Sequence, residues 1–197
     1  MQNGKRLRLA VSVSIFGVLS YLLMLVEIPI LPLFPFLKLD FSDLIPLCGL
    51  AIFGFGGASG VVLIRALLHL IMTGFSAQSL IGELGSVIAS LTILLLAQLI
   101  LQKQQKGQLN WQRRVLLVIS GTLVLTVVMA ILNYFVLTPL YIKVTGFKLG
   151  MDYLKYVLFA IIPFNLIKGV LVVGLFTVVY ARMGAWLQSQ YQSFHQK

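Results

Sequence analysis

A chain of 197 residues that is 59% hydrophobic and only 10% charged, with a mean hydropathy of +1.01, is not an ordinary soluble domain, which is about 45–50% apolar and about 25% charged. The formal net charge of +10 has no basic stripe interleaved with aromatics behind it, so it points to basic loops against anionic lipid headgroups and not to nucleic acid. One cysteine, Cys48, excludes an intramolecular disulfide and a multi-cysteine metal site and reads as a small apolar packing residue.

A spanning helix needs about 20 predominantly apolar residues, and six candidates follow one another. The first is Leu7 to Ile28. Lys5, Arg6 and Arg8 precede its apolar run, Leu9 to Ile28, as in a signal peptide, but no small-x-small cleavage pattern follows, so it reads as a retained helix. Next comes an apolar loop with three prolines, Pro29, Pro32 and Pro35, closed by Leu37-Lys38-Leu39-Asp40-Phe41-Ser42. Prolines rule out a regular helix there, and its apolarity predicts that it folds back onto the bundle. Ser42 or Asp40 is placed to cap the short second helix, Asp43 to Phe55. The third helix is Gly57 to Thr73, and the glycine-rich run Gly54–Gly60 where the two meet lacks the G-x-x-x-x-G-K-[ST] pattern of a phosphate loop and follows a hydrophobic helix, not a strand. It predicts a tight turn and close helix contact. The fourth, fifth and sixth helices are Ser79 to Leu101, Val115 to Leu137 and Tyr156 to Arg182. The expectation is an all-α integral membrane protein, one domain over residues 1–197.

Basic residues set the orientation. With the N-terminus inside, nine Lys and Arg fall inside: Lys5, Arg6, Arg8, Lys103, Lys106, Arg113, Arg114, Arg182 and Lys197. Four, Lys38, Lys143, Lys148 and Lys155, fall outside. Both termini are therefore expected in the cytoplasm, with the proline-rich loop outside.

Lys168 is the costliest residue, a cation inside membrane-grade sequence. Asn165 lies three residues earlier on the same helix face, and Pro163 frees a backbone carbonyl nearby. Asn133, near the outer end of helix five, is a second amide that must be satisfied in hydrocarbon. Interhelical bonding explains each alone; together they suggest a wall for a flat, largely apolar ligand with a polar edge. Phe34, Phe36, Phe41, Phe164, Tyr134 and Tyr141 offer aromatic surface. Arg65 and His69 share a face of helix three without an acid in that helix, which argues against a proton relay. For the same reason Lys168 reads as a hydrogen-bond donor to a ligand. Glu83 reads as a first-turn acid of helix four and Asp40 and Asp43 as capping residues. Glu27 is expected to pair with a loop lysine. No metal-ligand cluster, nucleotide loop or catalytic motif occurs, so no catalytic residue and no cofactor is expected.

Three stretches carry a resemblance. They are Phe34 to Asp43, the run from Asn133-Tyr134-Phe135 to Pro139-Leu140-Tyr141, and Pro163-Phe164-Asn165-Leu166-Ile167-Lys168-Gly169. With them the chain resembles the riboflavin-specific substrate-binding (S) components of energy-coupling factor (ECF) vitamin importers. The resemblance implies a compact six-helix S-component bundle in the bacterial plasma membrane, with the extracellular loop 29–42 closing the site. It implies riboflavin contacts from Asn133, Asn165, Lys168, Lys38, Leu39, Asp40, Phe41, Tyr141 and Glu83. It implies partners as well: a transmembrane coupling subunit, which docks on a small-xxx-small pair of helix one, here Ala10 and Ser14 where relatives often have two alanines, and two cytoplasmic ATPases. Relatives often carry Asn where Ser86 stands. Beside this reading stand an S component for another vitamin (thiamine, biotin or a nicotinate), a membrane-embedded enzyme, and a structural or channel-like bundle.

Overall fold

The computed structural model describes residues 2–34, 37–102, 109–146 and 149–195. Phe36 of the expected aromatic surface, and Lys103, Lys106, Lys148 and Lys197 of the orientation charges, lie outside the described residues. Within the described residues, five helices are long and apolar enough to cross a membrane.

Helix α1 runs Gln2–Met24, ending four residues before the expected Ile28. The residue before a proline is disfavoured in helix, and Ile28–Pro29 (β1) instead pairs antiparallel with Lys38–Leu39 (β2), Ile28 opposite Leu39. The intervening loop folds back as its apolarity predicts. Phe34 is buried and meets Tyr156 edge-on at 5.8 Å between ring centroids. Glu27 and Lys38 form the expected ion pair across the strand ends.

Helix α2, Leu44–Thr73, contains one break, Gly54 at φ 73° and ψ −177°, a region that favours glycine. Asp43 and Arg65, 22 residues apart, are bonded at 2.8 Å. On a continuous helix they would be about 33 Å apart. The chain therefore reverses at Gly54. One arm, 44–53, covers about 15 Å, half of what a bilayer core requires; the other, 55–73, covers about 28 Å. Cys48 packs on the apolar core, as expected.

Helix α3 is Ala77–Leu101, capped by Ser76, whose hydroxyl accepts from the Ser79 N–H. It starts two residues earlier than expected, so Glu83 lies in its second turn and not its first. Helix α4 is Trp111–Leu132. A π-helical turn, Asn133–Leu137, joins it to α5, Thr138–Thr145. The short α6, Tyr153–Tyr156, passes through a second π turn, Val157–Ile161, into α7, Ile162–His195. Both π turns have one cause. The Thr138 N–H reaches back five residues to the Asn133 carbonyl, and the Ile162 N–H to the Val157 carbonyl. Each donor is followed by a proline, Pro139 or Pro163. A proline ring clashes with the carbonyl four residues back, and a widened turn moves that carbonyl aside.

Helices α2, α3, α4 and α7 close a ring, with α1 lying on α2. The ring is filled by Leu47, Leu50, Ile93, Leu94, Leu117, Leu125, Val172, Val173 and Phe176. A second cluster, Phe34, Tyr156, Val157, Ala160 and Ile161, lies beneath the loop. Where α4 crosses α7, a Cβ on Gly169 would stand 2.8 Å from the Thr122 Cα, so the two backbones touch only because that residue is glycine.

Candidate functional site

The ends of α1, arm 55–73, α4 and α5 meet the starts of α3 and α7 at one end of the ring. There they enclose a cavity of about 780 Å³, lined among others by Met24, His69, Ile81, Met129, Leu137, Tyr156, Ile161 and Phe164. The size falls within the usual range of small-molecule sites, about 300–1,000 Å³.

The expected residues converge on it. Asn133, Tyr141, Asn165, Lys168, Glu83, Lys38 and Asp40 all line the cavity. Leu39 and Phe41 lie outside its lining. Leu39 is buried opposite Ile28, and Phe41 packs on the main apolar core. Ala10 and Ser14 are exposed on α1, away from the cavity.

Asn133 opens the first π turn, and Asn165 lies in the first turn of α7, just past the second. The Asn133 carboxamide donates to the Met129 carbonyl and that of Asn165 to the Ile161 carbonyl, both at 2.8 Å. Those bonds orient the two amides, and each amide retains donor and acceptor capacity at the cavity wall. Asn165 is 3% exposed.

Lys168 corrects one expectation. It is not a lone cation without acids, because its Nζ lies 3.0 Å from Asp43 Oδ2 and 3.8 Å from Asp40 Oδ2. Asp43 also receives Arg65, Nη1 to Oδ1 at 2.8 Å. Arg65, fully buried, spreads its guanidinium over Ser42 Oγ and Asp43 on one side and Ser86 Oγ and Ser90 Oγ on the other, at 2.8–3.0 Å. Ser90 Oγ in turn stands 2.5 Å from Asp43 Oδ1. Two cations and two carboxylates thus neutralise one another out of water, the condition under which buried charge is tolerated.

Capping therefore does not explain these acids. Asp43 stands at the N-cap position of α2 but makes no cap hydrogen bond. Asp40 accepts from the backbone N–H and the hydroxyl of Ser42, shaping the turn before the helix. His69 likewise finds an acid from another element, its Nδ1 2.6 Å from Glu83 Oε2. Glu83 is 3% exposed, and its Oε1 has no hydrogen-bond partner among the described residues.

The Asp43–Arg65 pair behind the cavity wall is what motif reasoning missed, having read the two residues separately. A signal existed: an arginine in an apolar span needs a polar partner, and the chain has only five acids to offer. Among the described residues no group of three or more His, Cys, Asp or Glu could hold a metal ion. The cavity wall presents oriented amides, the shared Lys168 ammonium, the carboxylates of Asp40 and Glu83, and aromatic and aliphatic surface.

The profile of a family described as "ECF transporter, substrate-specific component" matches residues 8–180. The chain is 34% identical over 191 residues to the riboflavin transporter RibU of Staphylococcus aureus, covering 95% of both chains. It is 34% identical to RibU of Streptococcus thermophilus, over 86% of this chain and 79% of that one. To the riboflavin transporter FmnP of Bacillus subtilis it is 31% identical, over 91% and 94%. In structure it is similar to the S component of a bacterial ECF transporter, with a TM-score of 0.73 and 29% identity, covering 95% of this chain and 99% of that one.

Proposed function

The chain belongs to the substrate-specific components of ECF transporters, and from that premise we infer that it is the riboflavin-binding subunit of an ATP-driven vitamin importer. It is a transporter subunit and not an enzyme, and riboflavin is its cargo and not a cofactor. The observation that carries the reading is the cavity walled by Asn133, Asn165 and Lys168. Riboflavin fits that donor set. Its tricyclic ring is flat, with carbonyls, an N–H and ring nitrogens along its edges, which match two carboxamides and an ammonium. Its polyol tail carries hydroxyls that can donate to a carboxylate such as Glu83 Oε1. Tyr141 and Phe164 supply apolar and aromatic surface.

In the full assignment the protein lies in the bacterial plasma membrane with both termini in the cytoplasm. Counting the two arms of α2 separately makes six membrane helices in one domain over residues 1–197. The loop 29–42 closes over the vitamin from outside, with Lys38 and Asp40 facing the cavity and Leu39 and Phe41 packed behind them. A transmembrane coupling subunit docks on the exposed Ala10 and Ser14 of α1, and two cytoplasmic ATPases supply the energy. Toppling of the whole subunit in the membrane carries the vitamin inward.

The test is direct. Protein purified in detergent is expected to carry or take up riboflavin at sub-micromolar concentration, with the yellow absorbance of the flavin and quenched flavin fluorescence. A colourless protein that binds no added flavin would refute the assignment, and competition with thiamine, biotin and nicotinate would then identify another vitamin.

A further inference from the structure

Arg65 and Asp43 belong to no flavin contact in the assignment above, yet they form the most heavily bonded buried cluster among the described residues. They tie together four parts of the chain. Ser42 and Asp43 are the root of the outer loop, Arg65 lies on arm 55–73, Ser86 and Ser90 on α3, and Lys168 on α7. A further bond fixes the same root to α1, the Ser20 hydroxyl donating to the Ser42 carbonyl at 2.8 Å. Asp43 divides its carboxylate between two duties, Oδ1 toward Arg65 and Oδ2 toward Lys168. Lys168 faces the cavity from the other side of that contact.

We propose that Arg65 and Asp43 are positioning residues of the binding site. They pin the root of the outer loop, residues 40–43, to the bundle, and through Asp43 they fix the Lys168 ammonium at the cavity wall. This rests on the riboflavin assignment for what Lys168 touches, but not for the pinning itself. The physical reason is reciprocal. A buried ammonium moves toward its nearest carboxylate, so its reach into the cavity is set by where Asp43 is held. Arg65 holds Asp43, because a planar fork bonded to four acceptors has little freedom left. The loop root and the cavity wall therefore respond to one another.

The test uses the full chain in detergent, with two variants. Asp43→Asn removes the charge that both cations share. Ser90→Ala is milder, removing one partner each of Arg65 and Asp43, and covers the case in which Asp43→Asn does not fold. In ligand-free protein, backbone hydrogen exchange at residues 38–43 should rise about tenfold in either variant, with α4 unchanged. In riboflavin titrations, Asp43→Asn combined with Lys168→Met should lose about tenfold less affinity than the product of the two single losses, since both act through one contact. Ser90→Ala combined with Lys168→Met serves the same cycle. A general loss of stability would instead raise exchange in α4 too and leave the losses multiplicative. Unchanged exchange at 38–43, or multiplicative losses, would overturn the proposal. If wild-type protein binds no flavin, the assignment of the ligand falls, and the exchange measurement alone decides the pinning.

Discussion

Lys168 carries two contacts at once, a carboxylate behind it and a cavity in front. That double engagement separates its removal from the removal of an ordinary wall residue. On the riboflavin assignment, Lys168→Ala deletes a donor to the ligand, and it leaves Asp43 with Arg65 as its remaining cation. Riboflavin affinity is expected to fall by about 1–3 kcal/mol, the cost of losing a buried hydrogen bond; fluorescence titration measures it, and an unchanged Kd would remove Lys168 from the site. Residues of this kind were the most legible in the sequence. Lys168, Asn165 and Asn133 announce themselves because a polar side chain in hydrocarbon must be answered by something. Their partners were less legible. Asp43 looked like a helix cap because its local sequence is that of a cap, and only the reversal at Gly54 brings it beside Arg65. Side-chain pairings across 22 residues follow from tertiary structure, which local sequence does not encode.

At the scale of the element, the helices were legible where apolar runs are long. Their ends were not. The fifth expected helix was ended at Leu137, yet the chain continues through a π turn to Thr145, because Pro139 is accommodated by widening a turn and not by stopping the helix. The turn at the glycine run was legible as a turn. Gly169 is the element-scale counterpart of Lys168, one residue further along α7. A methyl group there meets the Thr122 backbone, and backbone cannot rotate away. Gly169→Ala should therefore separate α4 from α7, lowering stability by about 1–3 kcal/mol. The neighbouring Lys168 would be displaced with it. Thermal unfolding in detergent checks the first effect and flavin titration the second. Wild-type values in both would show that the crossing tolerates a methyl.

For the whole molecule, the described ring of α2, α3, α4 and α7 is filled with aliphatic side chains over most of its length and opens into the cavity at one end. That shape is a cup, which suits a substrate-binding subunit. The distribution of basic residues predicts an orientation with both termini inside, and the two ends of the molecule can be told apart chemically. In a Cys48→Ser background, a cysteine at Leu33, on the exposed tip of the outer loop, should react in intact cells with a membrane-impermeant maleimide. One at Ser193, near the end of α7, should react only after lysis. The opposite pattern would invert the topology. The fold class was legible from composition alone, since so few charges leave no alternative to a membrane bundle. The cup was not, because it depends on which helix ends coincide.

The two π turns extend this point to length. Each contains one residue more than an α-helical turn would, so everything downstream is rotated by about 100° relative to an uninterrupted helix. After the first, that rotation sets which faces of α5 carry Tyr141 and Ile142 to the cavity. After the second, it sets the bearing of Asn165 and Lys168 relative to α6. The binding site is thus specified by a count as well as by residue identities. A relative of the same length in which either turn closed as a regular α-helix could keep every motif and still aim its polar groups at lipid.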